Sequence, residues 1–348
     1  MKKVIFSTLL FILFFLSSGI IYLSFFGYET DRFNSIIKSE IKKSNKDISL
    51  DFESISVLLD IKKLVLFVKF INPNLYYYQN PIPLESLRTD IDLEFLTQKK
   101  LVIKRATITT KYLDFNKIKP IVAKTGLNSE NLDNIKSGKF QIKNLKLDFD
   151  ENFKLKQDFA VGGDLKKVNI KISKNYEIKN LIANFLYKKK SFHLKDVSWN
   201  LNKKESTESE FFNGEIIINQ RKKNYDIDLK FKTRSAFNLP KIAIMHYYFL
   251  EDDISEIKTK FLVKKDKTIF FKNLAIENKN NKIQAKNFHL DQNYNLINFK
   301  EVHVKTSIDN NTNNEFRIIN DKKITIKGKI FDAKMLIKEL DKNGKHNK

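Results

Sequence analysis

The chain has 348 residues, enough for two ordinary domains or one elongated domain. Its 9 glycines and 5 prolines argue against a disordered or collagen-like chain, and the absence of cysteine excludes disulfides, thiolate chemistry and zinc-finger spacing. The net charge is +23, but only six of the 64 lysines and arginines are arginine. Lysine is a hydrated point charge, so the excess favours a solvated face, or an anionic surface such as lipid headgroups, over geometric phosphate recognition.

The first 28 residues predict a membrane anchor. Lys2 and Lys3 precede a run from Val4 to Tyr28 that contains no charged residue. About 20 apolar helical residues cross a hydrocarbon core, and the flanking lysines place the N-terminus in the cytoplasm and residues 29–348 across the membrane. The alternative is a signal peptide cleaved after the small residues 17–19. Apolar residues continue after that site, which favours an uncleaved single span.

Behind the anchor the hydrophobic period changes from helical to alternating. Thr30 or Asp31 is expected to cap a short helix that carries Phe33, Ile36, Ile37 and Ile41 at helical spacing. From Ile48 onward apolar and polar residues alternate, which is typical of half-buried strands. Four further short helices are predicted at Asp114–Ala123, Ser129–Ile135, Pro240–Leu250 and Asp332–Leu340.

One eight-residue motif recurs along the chain: apolar, any, apolar, Lys, polar, apolar, any, apolar. Its copies are Leu59–Leu66, Leu101–Ile108, Phe140–Leu147, Tyr176–Ala183, Phe192–Trp199, Ile269–Ile276, Ile283–Leu290 and Ile297–Val304. Side chains alternate along a strand, so the three-residue step across the Lys-polar pair would switch faces. A β-bulge absorbs the extra residue and keeps the four apolar groups on one side of a bent strand. The alternative is that a lysine-rich and asparagine-rich composition produces such copies by chance.

Strands recur every 10 to 16 residues, with too few helices to cover them, and this spacing excludes an α/β fold. A sandwich or one long antiparallel sheet remains. No HExxH, GxSxG, Walker or GxGxxG motif occurs, and the histidines are scattered, so neither catalysis, a metal nor a cofactor is expected. Gly162-Gly163 is interpreted as a turn. Trp199 is expected to face the core and Tyr76-Tyr77-Tyr78 to lie in a loop, so nucleic-acid binding is not expected.

Five features of the chain are shared with a known family: the anchor, the helix behind it, the strand Ile48–Asp60, the segment Leu64–Asn74 and the late segment Ile326–Ile337. In these features the chain resembles the AsmA-like family of inner-membrane-anchored periplasmic proteins of Gram-negative bacteria, relatives of TamB and YhdP. The resemblance covers most of the chain but consists mainly of hydrophobic patterns. It implies a mainly β fold: an N-terminal transmembrane helix followed by one elongated, curved antiparallel sheet, a β-groove, with a few short helices. The expected domains are the anchor 1–28, the groove domain 29–340 and a polar tail 341–348.

The family implies that phospholipid moves along the apolar groove in outer-membrane biogenesis, with lysines on the rim attracting headgroups. The expected partners are phospholipid and the inner membrane, and other envelope proteins are a further candidate. The residues expected to line the groove are the apolar positions of the motif copies: Leu64, Leu66, Ile103, Ile108, Phe140, Ile142, Leu145, Leu147, Ile178, Leu181, Leu194, Val197, Trp199, Phe271, Leu274, Phe288, Phe299 and Val302.

Two alternatives stay open at this point. The first is a non-catalytic envelope scaffold whose closed sandwich binds proteins through its sheet edges. The second is an enzyme that carries no recognisable motif. Longer relatives would continue beyond Leu340, so the resemblance leaves open whether this chain bridges two membranes by itself.

Overall fold

A computed structural model describes residues 2–62, 65–91, 103–124, 130–150, 156, 159–172, 176–203, 209–221, 224–234, 254–266, 268–291, 296–308 and 312–331. In these ranges the protein is mainly β, and its 22 strands are linked in one antiparallel sheet that does not close on itself. The chain forms two compact units. The first comprises Met1–Asp133 and Lys139–Asp164, and the second comprises Asn134–Gly138 and Leu165–Lys348.

The helices are α1 (Lys2–Phe25), α2 (Asn34–Ser44), α3 (Phe115–Lys124) and α4 (Glu130–Asp133). The strands of the first half of the chain are β1 (Tyr28–Thr30), β2 (Ile48–Asp51), β3 (Ser54–Asp60), β4 (Val65–Ile71), β5 (Asn74–Tyr77), β6 (Asn80–Ile91), β7 (Ile103–Thr110), β8 (Leu113–Asp114), β9 (Ile135–Ile142), β10 (Leu145–Asp148) and β11 (Ala160–Lys171). The strands that follow are β12 (Tyr176–Lys188), β13 (Ser191–Lys203), β14 (Ser209–Arg221), β15 (Asn224–Thr233), β16 (Ser255–Val263), β17 (Ile269–Glu277), β18 (Asn281–Leu290), β19 (Leu296–Asn298), β20 (Glu301–Ile308), β21 (Thr312–Asp321) and β22 (Lys323–Lys329).

The strand pairing is mostly between neighbours in the chain. In the first unit the pairing runs β1–β3–β4–β6–β7–β10, with β2 and β5 attached through β6. In the second unit each strand from β12 to β18 pairs with the next, and β18 continues to β20, β21 and β22. Short hairpins with Asx turns connect them, as at Asp266, whose carboxylate accepts the Thr268 N–H at 3.0 Å.

The predicted helix behind α1 is confirmed, but its predicted cap is wrong. Thr30 lies in β1, and its hydroxyl oxygen accepts the Arg32 N–H at 3.2 Å. Phe33 occupies the N-cap position of α2 without a side-chain hydrogen bond. Thr30 pairs with Ile55 of β3 and is therefore part of the sheet. This strand pairing outweighs the preference of threonine for the N-cap position.

Each unit has its own apolar core. In the first unit Ile37 and Ile41 of α2 pack on a buried cluster that contains Phe52 and Phe70, whose rings meet edge to face at 4.9 Å. In the second unit the buried cluster follows one face of the sheet from β14 to β21. Its buried members are Phe211, Phe231, Ile257, Leu274, Ile276, Ile283, Ala285, Phe288, Leu290, Val304, Phe316 and Ile318.

In the part of the chain that the structure describes, no helix is long and apolar enough to be recognised as a membrane span. The predicted helices Pro240–Leu250 and Asp332–Leu340 lie outside the described residues. The predicted helix Asp114–Ala123 corresponds to α3, and α4 lies within the predicted helix Ser129–Ile135.

Candidate apolar ligand-binding face

The Lys-polar step of the motif produces β-bulges. Asn180, Asp196 and Asn287 each occupy the polar fifth position of a copy and have φ values of 55°, 51° and 50°. The β12–β13 register shifts between Lys179 and Ile182. Asn and Asp are the non-glycine residues that visit the left-handed region most readily, which explains their choice at this position. The shifted β12–β13 and β13–β14 registers confirm the bulge prediction for the copies that contain Asn180 and Asp196, whereas neither the β17–β18 nor the β18–β20 register is shifted at Asn287.

A bulge should keep all four apolar positions of a copy on one face, and in two copies the clusters show this directly. Ile283, Ala285, Phe288 and Leu290 all belong to the buried cluster of the second unit. In the neighbouring copy, Ile269 and Phe271 pack against the cluster in which Leu274 and Ile276 are buried. Each copy therefore contributes its four apolar side chains to a single face despite the three-residue step.

Two copies behave differently. Leu59–Leu66 was expected to be one curved strand, but Leu59 pairs with Leu66 and Asp60 with Val65 across a hairpin. Lys62, the first residue of the Lys-polar pair, lies in a turn after β3, because a turn and a bulge favour the same polar residues.

In Phe140–Leu147 the strand is interrupted instead of bulged. Phe140 pairs with Leu113 of β8, whereas Leu145 pairs with Ile108 of β7. The insertion of β8 and α3 after β7 changes the strand partner at the Lys-polar step. Nothing in these pairings shows that Phe140, Ile142, Leu145 and Leu147 share one face, so this stays a prediction.

Gly162-Gly163 is not a turn, contrary to expectation. Both residues lie inside β11, and the Gly162 carbonyl oxygen accepts the Lys143 N–H at 2.9 Å. Asp164, the next residue, forms an ion pair with the Lys143 ammonium. Pairing in the sheet overrides the local preference of the glycines. Similarly, Tyr76 and Tyr77 lie in β5 rather than in a loop.

The expected groove-lining residues divide between the two units, and all that are described are at least half-buried. Leu64 lies outside the described residues. In the first unit the half-buried members are Leu66, Ile103, Ile108, Phe140, Ile142, Leu145 and Leu147. In the second unit Leu181, Leu194, Val197, Leu274 and Phe288 are buried, whereas Ile178, Trp199, Phe271, Phe299 and Val302 are half-buried.

Within the second unit the structure brings several of these side chains together. Trp199, Phe271, Phe299 and Val302 all pack against the buried cluster that contains Leu274 and Phe288. This connected apolar surface on one side of the sheet is called the apolar face below. Trp199 is oriented as predicted, toward the core, and its ring stacks on Phe211 with centroids 4.9 Å apart.

The motif missed residues of the same face that lie on strands without a copy of it. Phe211, Phe231, Ile257, Phe316 and Ile318 come from β14, β15, β16 and β21. Simple alternation, as in Ile257-Lys258-Thr259-Lys260-Phe261, was the signal that would have identified them.

The opposite side of the second unit's sheet carries cross-strand ion pairs. Asp228 and Lys230 alternate with Leu229 and Phe231, so they point away from the apolar face. The Lys260 ammonium donates to the Asp228 carboxylate at 2.8 Å, and this hydrogen bond raises the pKa of Lys260. Such pairs are typical of a solvated sheet surface and contribute little each.

This ionic side contains a shallow depression of about 370 Å³ lined in part by Lys230, Lys258 and Lys260. Glu256 accepts from Lys258 at 2.7 Å and from Lys230 at 3.2 Å, and the hydrogen bond from Lys258 lowers the pKa of Glu256. All three lysines therefore already have a carboxylate partner. The depression has no concentration of free positive charge that would select an anionic ligand.

The described ranges contain no group of three histidine or acidic side chains placed to hold a metal ion. His193 and His303 lie on the ionic side, where each approaches a glutamate of the next strand, Glu215 at 2.8 Å and Glu315 at 3.4 Å. The distinguishing feature of the second unit is therefore a two-sided sheet, apolar on one face and ion-paired on the other.

Comparison of the chain with protein-family models, with curated proteins and with solved structures found no match.

Proposed function

We propose that the chain is a membrane-anchored, non-catalytic protein of the AsmA-like kind that binds phospholipid acyl chains on the apolar face of its sheet. The observation that carries the proposal is the two-sided sheet of the second unit. Its bulged strands direct both halves of a motif copy to the apolar face, while Asp228, Lys230 and Lys260 occupy the other side. A sheet with one apolar face needs a cover, and acyl chains can supply one.

The anchor part of the proposal rests on α1. Its apolar side chains from Leu10 to Leu16 are exposed, as are Ile20 and Ile21. A helix that is apolar all round is stable when lipid or protein surrounds it. At ~1.5 Å rise per residue, the 24 residues of α1 are about 36 Å long, comparable to the hydrocarbon thickness. Lys2 and Lys3 favour a cytoplasmic N-terminus, which would place the β units in the periplasm.

Binding of acyl chains requires burial of their apolar surface and does not require a catalytic residue. Each methylene moved from water contributes roughly 0.8 kcal/mol, so a chain of several carbons on the apolar face is held without any polar contact. The half-buried members of that face, such as Phe271, Phe299 and Val302, are the positions where a ligand has surface to cover. The phosphate headgroup would stay in water near an exposed lysine such as Lys300.

A second candidate function is an envelope scaffold, and one specific observation favours it. Val197, Ile283 and Val304 are 0% exposed, as in an ordinary packed interior. A scaffold needs such a core for stability only and would bind proteins elsewhere on its surface. The two functions therefore differ in whether the half-buried part of the apolar face contacts lipid.

Neighbouring phenylalanines provide a matched test of this contact. Phe271 packs on the apolar face. Phe270 precedes it on the same strand, and the centroid of its ring lies 4.5 Å from that of the His289 ring. Benzoylphenylalanine would be introduced at each position of the full chain. Each variant would be expressed in cells, and their membranes would be irradiated. Lipid adducts at 271 and not at 270 are expected. Protein adducts alone at both positions would reject lipid binding here and favour the scaffold.

A further inference from the structure

Large apolar side chains remain exposed immediately behind α1. The exposed fractions are 74% for Phe26, 50% for Tyr28, 49% for Phe33 and 57% for Ile36. Single exposed apolar residues are ordinary, but a run of them in a short segment marks an interaction surface. We call these four residues the collar.

Two of the collar residues, Phe33 and Ile36, lie at the start of α2, and this helix already packs on the first unit through other residues. Ile37 and Ile41, one turn apart, pack on the core of the first unit. Ile36 lies about 100° around α2 from Ile37, and Phe33 lies at the N-cap position before the first turn, so both remain exposed. The core of the first unit explains why positions 37 and 41 are apolar, but it does not explain why Phe33 and Ile36 are apolar.

Polar contacts fix α2 in this orientation. The Lys38 ammonium forms an ion pair with Asp51 and lies 5.2 Å from the centroid of the Phe52 ring. At the start of the helix the Asn34 amide donates to the Glu53 carbonyl oxygen at 2.7 Å. Because the helix is held at several points, Phe33 and Ile36 cannot turn inward without breaking these contacts.

The chain between α1 and α2 is equally constrained. Gly27 has φ 72°, and a Cβ at this position would lie 2.9 Å from the Leu58 side chain. The next residues form β1, where Tyr28 pairs with Val57 of β3. The end of α1 is therefore attached closely to the sheet of the first unit, and the collar is held next to the end of α1.

We propose that the collar lies at the headgroup–acyl boundary of the bilayer that holds α1, so that α2 is an interfacial helix. This inference rests on the proposed membrane anchor. The chemistry fits this partner, because aromatic rings concentrate at membrane interfaces and apolar residues beside cations bind there. Arg32, next to Phe33, and Lys42, in the last turn of α2, are exposed and are attracted by anionic headgroups.

The consequence is a fixed orientation of the first unit relative to the bilayer. An anchor joined by a flexible linker would let the sheet rotate freely, whereas a seated collar holds β1 and β3 at the membrane surface. Lipid would then reach the sheet without crossing water.

The absence of cysteine makes a direct test simple. Ile36→Cys would carry an environment-sensitive fluorophore in the full chain, reconstituted in nanodiscs of phosphatidylcholine and phosphatidylglycerol. The control is Ile182→Cys, a second exposed isoleucine, 45% accessible on β12. Lipids with a spin label near the headgroup should quench the fluorophore at position 36 several-fold more than the fluorophore at position 182.

Equal quenching at the two positions, in protein that resists carbonate extraction, would overturn the collar and leave the anchor standing. Protein released by carbonate would overturn the anchor and the collar together. The two failures are therefore distinguishable.

Discussion

The rings of Phe271 and Phe288 stack face to face on neighbouring strands, with centroids 4.2 Å apart and planes 7° from parallel. The two residues are direct partners in the β17–β18 register. Each lies beside the Lys-polar step of its own motif copy, Phe271 at the third position and Phe288 at the sixth. The Lys-polar steps of the two strands are thus adjacent, the β17–β18 register is the same on both sides of them, and the apolar face remains continuous.

The left-handed bulge residues should tolerate glycine better than a β-branched residue. Asn287 has φ 50°, where a valine Cβ is strained. We expect Asn287→Val to lower the free energy of unfolding by about 1–2 kcal/mol, and Asn287→Gly to change it much less. Urea unfolding of the full chain in detergent, followed by the fluorescence of Trp199, measures both. Equal losses for the two variants would contradict the left-handed backbone as the reason for asparagine at this position.

Truncation within the buried cluster should be costly, and truncation of an exposed isoleucine should not. Ile283 is 0% exposed, so Ile283→Ala should destabilise the second unit by roughly 2–5 kcal/mol through lost burial and a cavity. Ile297 is exposed, and Ile297→Ala should stay within about 0.5 kcal/mol of the parent chain. The same Trp199 fluorescence reports both variants. A small loss at Ile283 would mean that the cluster packs loosely.

Gly27 should not accept a side chain. Its φ of 72° and the 2.9 Å approach of the Leu58 side chain both oppose Gly27→Ala, which should cost about 1–3 kcal/mol locally. Gly19 provides the matched control, because a Cβ there meets no atom within 4 Å. Hydrogen exchange of the β1 and β3 amides should accelerate in Gly27→Ala and remain unchanged in Gly19→Ala. Unchanged exchange in both variants would show that α1 is not held against β3.

The ion pair of α2 should make its attachment sensitive to acid. The hydrogen bond from Lys38 lowers the pKa of Asp51, so the folded pKa lies below the unfolded one. The pair's contribution is therefore fully present above the unfolded pKa and is lost as the pH falls through the folded pKa. In Lys38→Met the pKa of Asp51, measured by NMR titration, should rise. The stability difference from the parent chain, small at this exposed pair, should vanish in acid.

Local chemistry explains which parts of the fold could be predicted. The polar residue of the motif is often Asn or Asp, the types that accept a left-handed φ, so the left-handed residues Asn180, Asp196 and Asn287 could be predicted from the sequence. The hairpin at Leu59–Leu66 did not, because the same polar pair also suits a turn. The predicted turn at Gly162 is wrong because the strand that contains it is stabilised by residues distant in sequence. One example is the hydrogen bond that the Gly162 carbonyl oxygen accepts from the Lys143 N–H.

For the candidate site, the motif identified the strands that carry Trp199, Phe271 and Phe288 but missed Phe211 and Phe316, which lie on strands with plain alternation. Which residues become fully buried also could not be predicted. Val197 and Trp199 occupy equivalent apolar positions of one copy, yet Val197 is completely buried and Trp199 is not. That difference depends on packing between strands that are distant in sequence.

The central claim, lipid on the apolar face, is tested most directly by the phospholipid that co-purifies with the full chain, quantified by mass spectrometry. Ile178 is half-buried and pairs with Leu201, which packs against the apolar face, whereas Ile182 follows the bulge on the same strand and is exposed between buried Leu181 and Ala183. A carboxylate at position 178 would lie where acyl chains bind, and one at position 182 would lie in water. The account predicts that Ile178→Asp loses most of the bound phospholipid while Ile182→Asp retains the parent amount. Equal retention by the two variants, or a parent chain that carries no phospholipid beyond its detergent-extracted annulus, would contradict it.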